Sequence, residues 1–289
     1  MRSILTDELS PLELQLCLQS AIAPRPICLA STIDSDGNVN LSPFSFFNLF
    51  STNPPLCIFS PSRRMRDNST KHTLENLFEI PECVVNLVSY EMAAQTSLAS
   101  CDFPRGVNEF VKAGFTPLPS LLVKPPRVAG SPVQLECGIT QIIPLGQGPG
   151  AGNLVLAEIK MIHIREELIQ SDGTIDQVKM GLIARMGGDL YCRVTEENVF
   201  RLPKPLHHAA IGIDSLPLWI RTCGHFNGNE LARLSNAGSL PGEEELENFR
   251  KLYPAGSQMR DAMILHAKEL LAGNENEAAL KVLLCCPAP

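Results

Sequence analysis

The chain has 289 residues, enough for one large domain or for a domain with an appendage. Its 44% hydrophobic and 19% charged content excludes a disordered chain. A formal net charge of −7 argues against a nucleic-acid binder, which needs a basic face, while leaving room for a local basic pocket.

The opening residues lack an apolar run of secretory-signal length, and no window approaches the roughly 18 apolar residues needed to span a membrane. Ten cysteines are spread through the chain without a C-x-x-C pattern. Cys28, Cys57, Cys83 and Cys137 sit in apolar runs, and they read as buried thiols in a reducing compartment. A cytoplasmic protein with neither membrane nor nucleic-acid partner is expected.

Residues 8–20 read as a short helix with Leu9, Leu12, Leu16 and Ile22 on one side. "RPICLASTID" reads as a strand, Asp34-Ser35-Asp36-Gly37 as a hairpin turn and "NVNLSPFS" as the returning strand. "PLCIFSP" is a third strand. "STKHTLENLFEI" predicts a helix capped by Ser69 or Thr70, with Leu74, Leu77 and Phe78 on its apolar face. The strand "ECVVNLVS" and the helices "YEMAAQTSLAS" and "GVNEFVKAG" follow, the last ending at Gly114. A proline-rich crossing, 115–132, is too donor-poor for a central strand. In "VQLECGITQIIPL", Val133, Leu135, Cys137 and Ile139 alternate with Gln134, Glu136 and Thr140. "LVLAEIKMIHI" is the next strand, Asp172-Gly173 marks a turn, and "ARMGGDLYCRV" holds a loop and a last short strand.

Strands and helices do not alternate regularly, which favours an antiparallel barrel with helical insertions over a doubly wound parallel sheet. After about residue 200 four helices are expected. Met259, Met263, Ala267 and Leu270 form a stripe on the third, with Ile264 and Leu271 beside it. The division is therefore 1–200, mainly β, and 201–289, a helical extension suited to packing or oligomer contacts.

The motifs narrow the chemistry. "GQGPGAGN" misses the G-x-G-x-x-G spacing and leads into a strand, so it reads as a hairpin loop. His72, His163, His207, His208, His225 and His266 lack metal-ligand spacing, and His207-His208 read as a solvated pair. No G-x-S-x-G elbow supports a hydrolase. "SPSRRMRDNSTKHT" concentrates Arg63, Arg64, Arg66 and Lys71 at a helix start. With Ser69 and Thr73 it is either a phosphate site or a solvated loop. "LSPFSFFNLFSTNPP" sets small polar groups among four phenylalanines. Either these rings are only core, or Pro43, Pro54 and Pro55 hold backbone donors outward beside an aromatic wall for a flat heterocycle.

Taken in order, "RPICLASTIDSDGNVNLSPFSFFNLFSTNPPLCIFSP", "KHTLENL", "CVVNLVS", "DFPRGVNEF", "PSLLVKPPRV", "SPVQLECGI" and "LVLAEIKMIHI" resemble the flavin reductase-like, FMN-binding split-barrel family over roughly residues 20–195. Residues 211–238 resemble an extension carried by some members. The resemblance implies a six-stranded antiparallel Greek-key split barrel, a homodimer, and FMN near the dimer interface.

By position it places Arg25, Ser31 and Thr32 on the first strand near the flavin. Ser42, Pro43, Phe44, Ser45 and Asn48 meet the isoalloxazine edge, and Ser60, Lys71 and Thr73 serve the phosphate and ribityl chain. Asp102, Phe103, Pro104, Glu109 and Phe110 fall in an insertion near the site or the partner subunit. Arg185, Gly187 and Gly188 fall in a loop able to cover it. His72 departs from an acidic residue common in the family. The implied activity is an FMN-dependent oxidoreductase taking electrons from NAD(P)H, the chemistry residing at flavin N5 with no side-chain acid or base. The alternatives are a non-catalytic FMN carrier served by a redox partner protein, and a flavin-free structural or regulatory barrel.

Overall fold

The computed structural model describes residues 1–202, 210–251 and 259–286. His207-His208 and the side chain of Met259 fall outside the described residues. By internal contacts the chain divides into two compact units, Met1–Phe200 and Arg201–Pro289.

In the first unit, helix α1 (Pro11–Ala21) starts with a capping box: Ser10 accepts the Glu13 N–H, and the Glu13 carboxylate takes the Ser10 N–H. None of its residues is buried, and Leu12, Leu16 and Ile22 of the expected apolar side are exposed. Strands β1 (Arg25–Pro26) and β2 (Cys28–Ile33) follow. Asp34 builds the turn into β3 (Val39–Phe44), its carboxylate accepting the N–H of Asp36 and Asn38, while Gly37 takes φ +89°. Next come the hairpin β4 (Phe47–Thr52) and β5 (Pro55–Phe59), α2 (His72–Glu79) and β6 (Glu82–Leu87). Two short helices, α3 (Ala93–Leu98) and α4 (Glu109–Ala113), lead to β7 (Pro117–Leu118) and β8 (Arg127–Val128). Gly114 ends α4 in the left-handed region, at φ 70°. The long strands β9 (Val133–Pro144) and β10 (Asn153–Ile164) precede β11 (Ile183–Arg185) and β12 (Tyr191–Arg193).

The main sheet is antiparallel in the order β3-β2-β6-β9-β10-β5-β4. Its two edges, β3 and β4, are neighbours in the chain, joined through Ser45-Phe46. Seven strands stand where six were expected. The extra one is β4, whose aromatic run hides the alternation of a strand; it pairs with β5 from Phe47↔Phe59 to Thr52↔Pro55. Strands β1, β11 and β12 form a second small sheet, and β7 and β8 a third.

β2 is buried on both faces. Cys28 and Ala30 enter the barrel core with Phe44, Phe59, Leu74 and Val155, where the Phe44 and Phe59 rings lie 5.2 Å apart. Leu29 faces a second cluster with Leu41, Met92, Phe110 and Val128. The four cysteines read from apolar runs are buried.

Two local expectations need correction. Helix α2 is capped by neither Ser69 nor Thr70; Lys71 is the N-cap and supplies no side-chain bond. Ser69 Oγ instead donates to Asp67 at 2.5 Å, and Thr70 Oγ1 to Glu75 at 2.5 Å. Leu74 and Leu77 are buried, but Phe78 is 68% exposed. The proline-rich crossing lies over part of the polar side of β9, where Gln134 and Glu136 are buried while Thr140 is exposed. Glu136 there is fully buried and accepts the N–H groups of Leu121 at 2.9 Å and Leu122 at 2.6 Å.

The second unit has its own core of Ile220, Leu234, Met263, Ile264, Ala267, Leu271, Leu280 and Leu283. Its described helices are α5 (Leu218–Thr222), α6 (Gly228–Leu234), α7 (Glu243–Arg250), α8 (Met259–Ala272) and α9 (Asn276–Leu284). The sequence pattern missed α5, which is too short to show a period. Among the described residues no helix is long and apolar enough to cross a membrane.

Candidate functional site

The outer end of β3 meets the start of α2 and the loop before α4. Together they line a small cleft of about 50 Å³ that includes Ser42, Phe44, Arg64, Lys71, Asp102 and Phe103. Its floor is a buried polar chain: Thr73 Oγ1 donates to Asn40 Oδ1 at 2.7 Å, and Asn40 Nδ2 donates to Glu109 at 2.9 Å. Glu109 also takes the Leu41 N–H at 2.9 Å. Burial pushes the Glu109 carboxyl above its ordinary value, more than these donors pull it down. This chain fixes α2 and α4 to β3 and so sets the shape of the cleft.

The wall is cationic. Asp102 lies 3.0 Å from Arg64 Nε, 3.0 Å from Arg66 and 3.5 Å from Lys71 Nζ. Partial burial pushes its carboxyl up, but Arg64, Lys71 and Arg66 together bring it below the ordinary value. His72 is held below its ordinary value, first by burial, so the positive charge of the wall comes from the arginines and the lysine. Three cations face Asp102 here, with Asp67 paired to Arg66 at 2.8 Å, so cations still outnumber acids, and the N-terminus of α2 beside them has no side-chain cap. Such a place suits an added anion.

The residues expected at the site do not all gather here. Ser42, Pro43, Phe44, Lys71, Asp102, Phe103 and Glu109 line the cleft. Thr73 lies beneath it, fully buried. Ser31 and Thr32 are fully buried and partnered within the fold, Ser31 Oγ donating to Pro126 O and Thr32 Oγ1 accepting from Asn76. Ser60 Oγ accepts the Asn153 N–H at 3.1 Å and braces the start of β10. A Cβ on Gly152 would stand 2.7 Å from that hydroxyl, so this glycine of the "GQGPGAGN" loop serves close packing. Phe110 belongs to the core, and Asn48 is exposed on β4 with its side-chain oxygen bonded to the Leu49 N–H.

Arg25 lies apart from the cleft. It borders a different, mainly apolar cavity of about 400 Å³ with Leu14, Leu18, Ile22, Phe46 and Met65. Its guanidinium donates to the carbonyls of Gln19, Ile22 and Met186, which ties the end of α1 to the loop after β11. Gly187 in that loop packs on Ser20. A third cavity, of about 190 Å³, adjoins the cleft through Pro43, Phe44 and Ser100 and is bordered by Ser45, Thr96, Arg185 and Tyr191. Thr96 and Tyr191 carry no signal in the sequence, since a lone threonine in a helix and a lone tyrosine in a strand are ordinary structural residues.

The model of the flavin reductase-like domain family matches residues 20–179. Nitrilotriacetate monooxygenase component B from Bacillus cereus is 28% identical with a TM-score of 0.65, the match covering 70% of this chain and 98% of that one. Pseudomonas fluorescens 2-nitrobenzoate 2-nitroreductase NbaA is 29% identical with a TM-score of 0.64, covering 73% and 100%. A split-barrel protein from Shewanella frigidimarina, at 24% identity and a TM-score of 0.59 over 69% and 96%, shares the fold.

Proposed function

The chain belongs to the flavin reductase-like family, and from that premise we propose that it binds FMN and passes electrons from NAD(P)H through it to a flavin or another acceptor. The observation that carries the reading is the surplus of positive charge around Asp102, set beside Phe44 and the Ser42–Ser45 stretch.

The residues present fit the group. Lys71, Arg64 and Arg66 supply the charge for a phosphate, and the uncapped start of α2 supplies backbone donors. The cleft of about 50 Å³ has room for a phosphate but not for a three-ring heterocycle, so the rings belong on the open face beside it. Phe44 and Phe103 give that end apolar surface, and Ser42 and Ser45 give it polar edges. When bound, the flavin supplies the hydride chemistry at N5. The protein's part is to hold it, exclude water from one face and place donors along its polar edge.

The test is the visible spectrum of the purified protein, before and after FMN addition, then with NADH and NADPH in the absence of oxygen. Flavin bands that bleach with either nucleotide are expected, and failure to take up FMN would overturn the reading. Lys71→Ala is expected to weaken FMN binding by about 1.5–3 kcal/mol, the range for a charge-assisted contact. Unchanged affinity would remove Lys71 from the site.

A further inference from the structure

We propose that the cavity between α3 and the β11–β12 hairpin is a binding site for a flat organic carboxylate about one ring in size. This ligand is distinct from FMN and is held by Arg185 and Thr96. Four observations converge on it.

The first is an unbalanced charge. Arg185 has no carboxylate within ion-pair distance among the described residues, and neither does Arg25, its register partner across β1 and β11. Two adjacent arginines without an acid stand out in a chain of net charge −7. The Arg185 guanidinium lies over the Tyr191 ring, 4.5 Å from its centre, and donates to the Tyr191 hydroxyl and to Gly188 O. Two of its five N–H groups are thus engaged, and its planar fork is held in place with donors to spare.

The second is an orphaned hydroxyl. Thr96 is 5% exposed, and its Oγ1 has no hydrogen-bond partner. Buried polar atoms are rarely left so, and a helical threonine ordinarily bonds a carbonyl one turn back. Thr96 borders the cavity, and although its Oγ1 is shielded in the unliganded chain, a turn about χ1 would bring the hydroxyl to a ligand oxygen there.

The third is the wall. Ile27, Phe44 and the Tyr191 ring give apolar surface on which a flat ring can lie. The fourth is size. At about 190 Å³ the cavity is smaller than the usual range for drug-sized ligands, which favours a single ring with its acid group. Pro43 and Phe44 also line the Lys71 cleft, so such an acid would bind beside a flavin held there.

The test is calorimetric titration of the full-length protein, loaded with FMN, using benzoate and its neutral isostere benzamide. Benzoate is expected to bind about tenfold or more tightly than benzamide, the discrimination of one charge-assisted contact. Arg185→Gln should remove that preference while benzamide binding stays as it was. Arg185→Lys should restore part of it. Because Arg185 also braces its hairpin, Thr96→Val is the second probe: near-isosteric and remote from the hairpin turn, it should weaken benzoate about threefold.

Equal binding of the two compounds, or Arg185→Gln without effect on benzoate, would overturn the proposal. So would competition between benzoate and FMN, which would give Arg185 to the flavin itself. Benzoate binding to protein that takes up no FMN would sustain this site and remove the flavin reading, so the two fail separately.

Discussion

Glu136 and Asp102 are both carboxylates set among donors, and they do opposite things. Glu136 is fully buried and takes the N–H groups of Leu121 and Leu122; the His163 ring lies 2.7 Å away and Arg127 at 3.9 Å. Its oxygens are saturated by the fold, and nothing is left for a ligand. Asp102 is about one-third exposed and faces Arg64, Arg66 and Lys71, and even with Asp67 paired to Arg66 the cations there outnumber the acids. A donor set matched to its acceptor holds a structure together. A donor set in excess of its acceptor marks a place where another anion can bind.

The largest effect that sharpens this contrast is expected at Glu136. Glu136→Leu leaves the N–H groups of Leu121 and Leu122 without their acceptor and the facing His163 ring without its partner, at a fully buried position. Breaking such a buried charged network costs about 3–5 kcal/mol. In a domain of this size each kcal/mol lowers Tm by about 2–4 °C. The loss should appear in thermal unfolding, and a variant as stable as the parent would show that the crossing holds without Glu136.

A smaller effect is expected with pH. Burial pushes the Glu136 carboxyl up, but the Leu121 and Leu122 N–H groups and His163 outweigh it and leave it below the ordinary value. A carboxyl depressed on folding contributes stability that is present above its unfolded pKa, about 4.3. That contribution is lost as pH falls through the folded value. The stability gap between the parent and Glu136→Gln should therefore be constant near neutrality and narrow below about pH 4. A gap that widens on acidification would reverse the assignment.

The contrast also explains what the sequence could and could not show. Period-two alternation marked β9, the Asp34-Ser35-Asp36-Gly37 turn marked the β2–β3 hairpin, and Gly114 marked the end of α4, because these signals are local. Glu136 showed only as a polar residue of an alternating strand, since the residues that cover it, 119–123, reach it only through the folded crossing. Ser31, Thr32 and Thr73 are assigned by position to a ligand, and the fold gives each a hydrogen-bond partner remote in sequence. A hydroxyl on a strand looks the same in the sequence whether its partner is a backbone carbonyl or a cofactor. The basic run at 63–71 was visible, but not the carboxylate from residue 102 that organises it. Likewise β4 was hidden in the aromatic run, because its pairing with β5 shows only in the register.

The smallest and most discriminating effect is expected at Asp102 itself. Asp102→Asn keeps the shape and removes one negative charge from among three cations. Exposed ion pairs contribute roughly 0.2–1 kcal/mol, so stability should hardly change. Affinity for FMN should rise by a few-fold at low ionic strength, because the phosphate no longer shares Arg64, Arg66 and Lys71 with a carboxylate. The gain should fade as added salt shortens the Debye length to about 8 Å near 0.15 M and further beyond. Titration of FMN at two salt concentrations measures both. Tighter binding that weakens with salt means that Asp102 competes with the ligand for the cations. Weaker binding at both concentrations means that it orients Arg64 and Lys71 toward the ligand, which would move Asp102 from the class of competitor to that of Glu136, a carboxylate that holds its donors in place.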